Sequence, residues 1–428
     1  MSSEKLNRAL TLPQLSLLGV GTMVGAGIYS VIGAAAGEAG TNLWISFVLA
    51  GIAAFLTVLS YAELASMFPK AGAEYQFLKR TFPHQPLFAF MAGYLIALNA
   101  AATSATVAVA FAGYLNIFIP APILLTAFLL LLFCTIVNIA GIRESTWVSI
   151  GMIIIEVSGL LLIIWTGFWD GTPSRSFSQP PEWGNAAGLF AATALIFFIY
   201  IGFEDVVNLS EEVRNPTQTV PRALLISVGV TSLLYILVAV ALIALDAPND
   251  LARSDAPLSD AIGTVSAWRA QALAVAALFA TASTALISLI AISRMLFGMA
   301  REGDMPRLLF RTWTARKTPW VAALVLFTAA CLLLPLGEVK ILASVSSFGV
   351  LLVFASVQLA VIALRFLQPD LKRPFRVPLE IGRLPVLPAL GATISLAIIT
   401  QFEGVVYLVG FGALAFGLAV YFLRRAAA

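Results

Sequence analysis

The chain has 428 residues, of which 60% are hydrophobic and 11% charged. Soluble domains carry about 25% charged residues, so this composition excludes a soluble enzyme or binding module and predicts an all-α polytopic membrane protein. The net charge of +3 is dispersed along loops and forms no basic face for nucleic acid, and the single histidine, His84, rules out histidine-based metal or triad chemistry.

At about 20 apolar residues per crossing, the sequence divides into twelve predicted transmembrane helices, at 12–34, 43–68, 86–115, 122–141, 146–168, 186–210, 221–246, 270–298, 319–336, 342–366, 386–402 and 405–423. No segment between them is long and polar enough for a soluble domain, so 1–428 reads as one membrane transport domain. With the N-terminus inside, 21 of the 25 lysines and arginines fall on cytoplasmic segments, leaving only Arg175, Arg253, Arg269 and Lys340 on the other face. Basic residues collect on the cytoplasmic side, which predicts an even number of spans, both termini in the cytoplasm and a cytoplasmic (inner) membrane location. Residues 1–13 lack a short apolar core with a small-residue cleavage site, so no cleaved signal peptide is expected.

The first span is interrupted at Val24-Gly25-Ala26-Gly27-Ile28-Tyr29. Three successive positions with almost no side chain let backbone amides approach a bound group, and the helix restarting there points its positive end at the gap, which suits a carboxylate. Close helix packing through Gly21 and Gly25 is the competing reading. Glycines 19, 21 and 25 also resemble a nucleotide fingerprint, but no strand precedes them. Glu63, near the cytoplasmic end of span 2, is expected to pair with a basic loop residue such as Lys70, Lys79 or Arg294. The connector Pro69-Lys70-Ala71-Gly72-Ala73-Glu74-Tyr75 leads into a short amphipathic helix expected on the cytoplasmic surface. Small residues from Ala100 to Ala105 predict tight packing in span 3. Cys134 and Cys331 lie within spans and read as core residues.

Glu156 follows Trp147 by nine residues, about 13 Å along a helix axis, close to the bilayer centre. A charge there costs about 2.5–3.5 kcal/mol on insertion scales, so this acid should face the bundle interior. Two roles are open: a carboxyl that loads and releases a proton, and a permanently protonated one bonded to a neighbouring helix. Span 6 is interrupted at Tyr200-Ile201-Gly202-Phe203-Glu204-Asp205. Carbonyls of Phe198, Tyr200 and Ile201 suit an ammonium, and the Phe198 ring suits a ligand side chain. Asp205 reads as a helix cap, and Glu204 as a cap or a gating or proton-sensing acid. The Asn215-Pro216 pair closes this span, and residues 255–269 form an external stretch that reads as a lid helix. Ser283, Thr284 and Ser288 in span 8 offer oxygens to the site or to a sodium ion, although hydroxyls on spanning helices usually bond their own backbone.

Both breaks open a run of five spans, about 12–168 and 186–366, with 386–423 outside the repeat. Five is odd, so the second run enters from the opposite side, giving a five-plus-five inverted repeat with helices 1 and 6 broken.

Four motifs in order resemble permeases of the amino acid–polyamine–organocation (APC) superfamily. They are the Gly19–Gly33 run, the Tyr61–Tyr75 run, Ile201-Gly202-Phe203-Glu204 with Glu211-Glu212-Val213-Arg214-Asn215-Pro216 and Val220-Pro221-Arg222-Ala223, and Met299-Ala300-Arg301-Glu302-Gly303-Asp304-Met305-Pro306. The resemblance implies the leucine-transporter-like fold and amino acid transport by alternating access. It puts Gly25, Ala26, Gly27 and Ile28 at the substrate carboxylate and Phe198, Tyr200, Ile201 and Gly202 at the amine and side chain, with Glu156 and Glu204 in coupling and gating. Many relatives carry a span-5 lysine where this chain has Glu156, so the lysine mechanism does not transfer. Proton-coupled symport is the expected mode, with amino acid exchange and polyamine or ethanolamine transport as alternatives and sodium coupling open. A channel or non-transporting sensor is the alternative from another class, but the chain has neither a polar ring nor a signalling domain. No cofactor is expected, and with no histidine cluster or Gly-x-Ser-x-Gly elbow the chain is no enzyme. Packing motifs and dimer motifs look alike in it, so the oligomeric state is not legible.

Overall fold

The computed structural model describes residues 10–70, 72–140, 146–172, 186–208, 210, 213–254, 256–301, 303–313, 318–336 and 339–426. Of the residues named above, Ala71, Arg175, Glu211, Glu212 and Glu302 lie outside these, as do residue 255 of the expected lid and five of the basic residues counted for sidedness, Lys5, Arg8, Arg143, Arg316 and Lys317. The described chain is mostly helical, the arrangement that satisfies every backbone group where water is absent.

The first predicted span is two helices, α1 (Leu12–Val24) and α2 (Ala26–Ala39), divided at Gly25. There follow α3 (Leu43–Met67), α4 (Ala73–Thr81), α5 (Pro86–Leu115), α6 (Ile123–Ala140) and α7 (Thr146–Trp169). The sixth span is α8 (Ala186–Phe197), a 3-10 turn over Phe198–Tyr200, a non-helical Ile201 to Phe203, and the short α9 (Glu204–Asn208). Next come α10 (Pro216–Leu245), α11 (Pro248–Leu251), α12 (Pro257–Gly263), α13 (Ala267–Arg301), α14 (Trp320–Leu333) and α15 (Val339–Leu367). A two-residue hairpin pairing Glu380–Ile381 with Leu384–Pro385 precedes α16 (Val386–Ile399) and α17 (Gly404–Ala426). Among the described residues, eight helical stretches are long and apolar enough to cross a membrane, α2 and α3 together making one, and Leu12–Val24, Ile123–Ile139, Trp320–Leu336 and Val386–Ile399 are shorter apolar helices.

Asn215-Pro216 starts α10 instead of closing span 6. Asn215 adopts a left-handed backbone (φ +50°) and Pro216 takes the first helical turn, where its missing N–H costs nothing. Pro221, the expected start of span 7, therefore lies inside the helix.

Helix α5 is buried along nearly its whole length between α13 and α15, and its run of small residues lets those neighbours approach closely. Helix α3 packs along α10, and α7 along α10 and α13. On one side of the bundle α11 and α12 sit against α2, with no room for a side chain at the contact. A Cβ on Gly33 would fall 2.5 Å from the Leu251 carbonyl, and one on Gly37 would fall 2.6 Å from Ala252 Cβ. The stretch expected as a lid is thus a helical cover seated on α2.

Helix α4 is the short amphipathic helix expected after the connector, with one face sunk into the bundle. Ala73, Glu74, Tyr75, Phe77, Leu78 and Thr81 are buried, and the helix packs on α5, α15 and α9. Glu63 is ion-paired as expected, and the partner found is Arg365; the Arg294 side chain lies outside the described residues. Its carboxylate accepts from Arg365 Nη2 (2.6 Å) and Nε (3.1 Å) and from the Val377 amide (2.7 Å), with Arg373 Nε 3.4 Å away. Lys79 instead meets Asp304, 3.1 Å away. Arg365 lies 302 positions from Glu63, a separation no local pattern reveals. A second salt bridge from Arg365 to Glu380 (2.9 Å) docks the hairpin. Both carboxylate and guanidinium are almost fully enclosed, so removing one partner strands the other without water. Glu63→Ala is expected to cost about 3–5 kcal/mol, read as a lowered thermal midpoint of the detergent-purified protein, whereas replacing Glu63 and Arg365 together by leucine and methionine restores most of the loss.

Candidate functional site

Breaking a spanning helix leaves amides and carbonyls that need new partners, each orphan costing several kcal/mol in hydrocarbon. At the first break, Gly25 has φ −40° and ψ −152°, and the Ala26 amide donates to Thr284 Oγ1 of α13 (2.9 Å). A Cβ on Gly25 would lie 2.3 Å from that hydroxyl, and one on Gly27 would lie 3.1 Å from Ile199 Cα in the second break. Tyr235 of α10 reaches both breaks, its phenol 2.6 Å from the Met23 carbonyl and 3.2 Å from the Ile199 carbonyl. Tyr114 donates to the Tyr29 carbonyl (2.6 Å), and Tyr29 in turn to the Glu156 carbonyl (2.5 Å).

At the second break, Gly202 has φ +123°, a conformation essentially reserved for glycine, and a Cβ there would lie 2.7 Å from the Thr22 carbonyl of α1. Its amide donates to Glu204 Oε2 (2.9 Å), so Glu204 does cap the turn, while the Phe198 carbonyl accepts the Ile201 amide (3.2 Å).

Between the breaks lies a small cavity of about 30 Å³ lined by Ala26, Gly27, Phe198 and Ile201 among others, room for no more than a water or two. Thr22, Thr103, Ile201 and Thr284 connect it to a larger cavity of about 320 Å³. That cavity brings together Gly202, Glu156, Glu204, Asp205, Ser283, Thr284 and Ser288, and extends to Glu74 of α4. Gly25, Ile28 and Tyr200 line neither cavity. The Tyr200 hydroxyl turns away to the Phe47 carbonyl of α3 (3.1 Å).

Glu156 is 2% exposed, and its Oε1 lies 2.8 Å from Ser283 Oγ, which is itself 3.0 Å from the Ala280 carbonyl. Tyr61 of α3 donates to Glu74 (2.9 Å), and its ring is surrounded by Phe77, Phe203 and Phe354 at 5.3–5.9 Å between centroids. The described residues of the larger cavity's wall include four carboxylic acids, Glu74, Glu156, Glu204 and Asp205, and no lysine or arginine. Sequence reasoning missed Tyr29, Tyr114, Tyr235 and Asn99, and placed Glu74 at the surface. A phenol inside an apolar span was the available signal, because a buried hydroxyl must find an acceptor.

Burial pushes the Glu74 carboxyl up to about 7 from an ordinary 4.5. The Asp205 charge adds to the rise, against the lowering effect of its own backbone N–H and of Tyr61. A carboxyl whose folded pKa is raised binds its proton more tightly in the folded state. Its contribution is therefore full below about 4.5 and is lost as pH rises toward about 7. Relative to Glu74→Gln, the wild-type thermal midpoint should fall as pH rises through that window; parallel profiles for the two proteins would refute this.

The amino acid permease family matches residues 10–423. The branched-chain amino acid permease BcaP of Bacillus subtilis is 31% identical, over 99% of this chain and 94% of its own length. The methylthioribose transporter of the same organism is 32% identical over 98% of this chain and 94% of its own. A vacuolar cationic amino acid transporter of Arabidopsis thaliana, number 4 of its series, is 32% identical over 86% of this chain and 65% of its own.

Proposed function

Because the chain belongs to the amino acid permease family of the APC superfamily, we propose that it is a secondary active transporter. In this reading it carries amino acids across the cytoplasmic membrane by alternating access, drawing on a proton gradient through Glu156. Twelve spans with both termini cytoplasmic, the first ten in a five-plus-five inverted repeat, form the framework. Reciprocal packing supports the repeat. When each of the first five spans is exchanged with its counterpart in the second five, α3–α10 and α5–α13 map onto themselves. The contact α5–α15 becomes α13–α7, α3–α15 becomes α10–α7, α5–α6 becomes α13–α14, and α3–α8 becomes α10–α1, and all of these pairs pack.

The observation that carries the reading is the pair of facing helix breaks above a cavity that ends at α4. Ala26, Gly27, Phe198, Ile201 and Gly202 bound the substrate position. Gly25, Ile28 and Tyr200 support it from behind by shaping the breaks. The narrow 30 Å³ pocket, the cover of α11 and α12 on α2, and the larger cavity reaching α4 support an inward-facing arrangement.

Coupling at Glu156 turns on one hydrogen. Ser283 has a single O–H and two oxygens in reach, Glu156 Oε1 and the Ala280 carbonyl. With Glu156 ionised, the hydroxyl donates to the carboxylate. With Glu156 protonated, the carboxyl donates to Ser283 and the hydroxyl turns to Ala280. Both protonation states are satisfied without moving a helix, as a group that loads and releases a proton requires. Tyr29 ties the Glu156 carbonyl to α2, so the same residue touches the segment that must move. Amino acid exchange uses the same site without net proton flow. In proteoliposomes with an inward proton gradient, Glu156→Gln should abolish gradient-driven accumulation of labelled amino acids while keeping counterflow exchange. Full accumulation by that variant would remove Glu156 from the mechanism.

A further inference from the structure

The larger cavity holds few uncommitted donors. Thr22 Oγ1 donates to the Gly19 carbonyl (3.0 Å), Thr284 Oγ1 to the Ala280 carbonyl (2.8 Å), and Ser283 is engaged with Glu156 and Ala280. The Ala26 amide at the first break is taken by Thr284. Asn99 of α5 differs. It is 6% exposed and lines the cavity. Its Oδ1 accepts from Ser346 Oγ of α15, and Thr103 Oγ1 lies 3.4 Å from that same oxygen and 3.0 Å from Ser346 Oγ. With its oxygen held from one side, the amide nitrogen must point the other way, and its two N–H bonds meet no acceptor among the described residues. An oriented amide that opens on the cavity is a ready hydrogen-bond partner for water or for the acceptor of a ligand.

We propose that Asn99 is a specificity-determining residue of the transport cavity, its carboxamide N–H pair receiving the carboxylate of an amino acid on the α4 side of the helix breaks. The proposal rests on the amino acid reading above. The same cavity wall supplies the complement, since Glu156, Glu204 and Asp205 offer oxygens that accept hydrogen bonds from the ligand's ammonium, and no lysine or arginine among the described lining residues competes for its carboxylate. Asn99 thus offers the carboxylate a partner at the stage when Thr284 already occupies the Ala26 amide. The ligand class that fits has a carboxylate and an ammonium close together; an amine lacking the carboxylate leaves Asn99 unsatisfied.

The test measures dissociation constants of the twenty amino acids and their decarboxylated amines on detergent-purified wild-type protein, Asn99→Asp and Asn99→Ala. Wild type should bind an amino acid about tenfold or more tightly than its amine, the difference expected for a hydrogen bond to a charged group. Both variants should lose most of that preference, Asn99→Ala while binding the amine as before and Asn99→Asp while binding the amine at least as tightly, because it adds a carboxylate. A wild-type preference retained in both variants overturns the proposal, and so does joint loss of acid and amine binding, which marks a purely structural residue. Wild-type protein that binds no member of the panel overturns the amino acid reading itself, and the proposal with it.

Discussion

Two helices that stop and restart inside the bundle must have their loose main-chain ends satisfied by protein, and much of the surrounding structure serves that need. A phenol suits the task because it brings one donor on a large apolar body that packs among helices. Tyr235 is the central case, since its single hydrogen lies within reach of carbonyls in both breaks, Met23 at 2.6 Å and Ile199 at 3.2 Å. It can serve only one at a time. A small relative displacement of the two segments therefore exchanges one satisfied carbonyl for another, at little net cost. Gly27 against Ile199 and Gly202 against Thr22 complete the same junction, the first leaving only a tight fit for a Cβ and the second leaving none. The breaks are built as a pair, and neither would be stable facing lipid alone.

Helix α5 supplies the framework against which that pair is set. Its small residues sit flush against α13 and α15, and two of its polar side chains, Asn99 and Thr103, are held toward α15 by Ser346. The cavity wall on this side is therefore rigid through close packing and oriented hydrogen bonds. The opposite wall is α1, α9 and the unwound segments, whose backbone is not committed to a continuous helix. Local stability follows the density of packed apolar contacts and regular hydrogen bonds, which puts motion in the broken segments and constancy in α5, α13 and α15.

Much of this was legible in the chain. Runs of apolar residues located every long helix to within a few positions, because length and hydropathy are local properties. The break at Gly25 was legible from Gly-Ala-Gly, and the one at Ile201 to Phe203 from a glycine followed by two acids inside an apolar run. Partners across the fold were not legible. Glu63 pairs with a residue 302 positions away, and Asn99 is oriented by one 247 away, so no periodicity carries either contact. Helix α4 misled for a related reason. Its polar composition reads as a surface helix, yet Tyr61 and the aromatic rings around it bury Glu74. The start of α10 was misread because proline stops most helices, whereas Asn215 in a left-handed turn lets Pro216 begin one.

The placement of charge along α15 ties these observations together. Near one end Arg365 binds Glu63 and Glu380; near the other Lys340 binds Glu38 (2.5 Å) and Glu403 (2.8 Å). These cations are consumed in ion pairs at the rims. Between them α15 contributes no cation to the cavity and instead presents Ser346 to Asn99 and Phe354 to Tyr61. The described cavity wall is left with carboxylic acids in a low-dielectric setting, where any of them that ionises sets up a poorly screened field that attracts positive groups. A cation placed there, such as a lysine at position 156, would cancel that field from within. A glutamate at 156 adds to it and, with Ser283 beside it, can also shed its charge by taking a proton. The choice of acid at this one position thus sets both the polarity of the cavity and the means of relieving it.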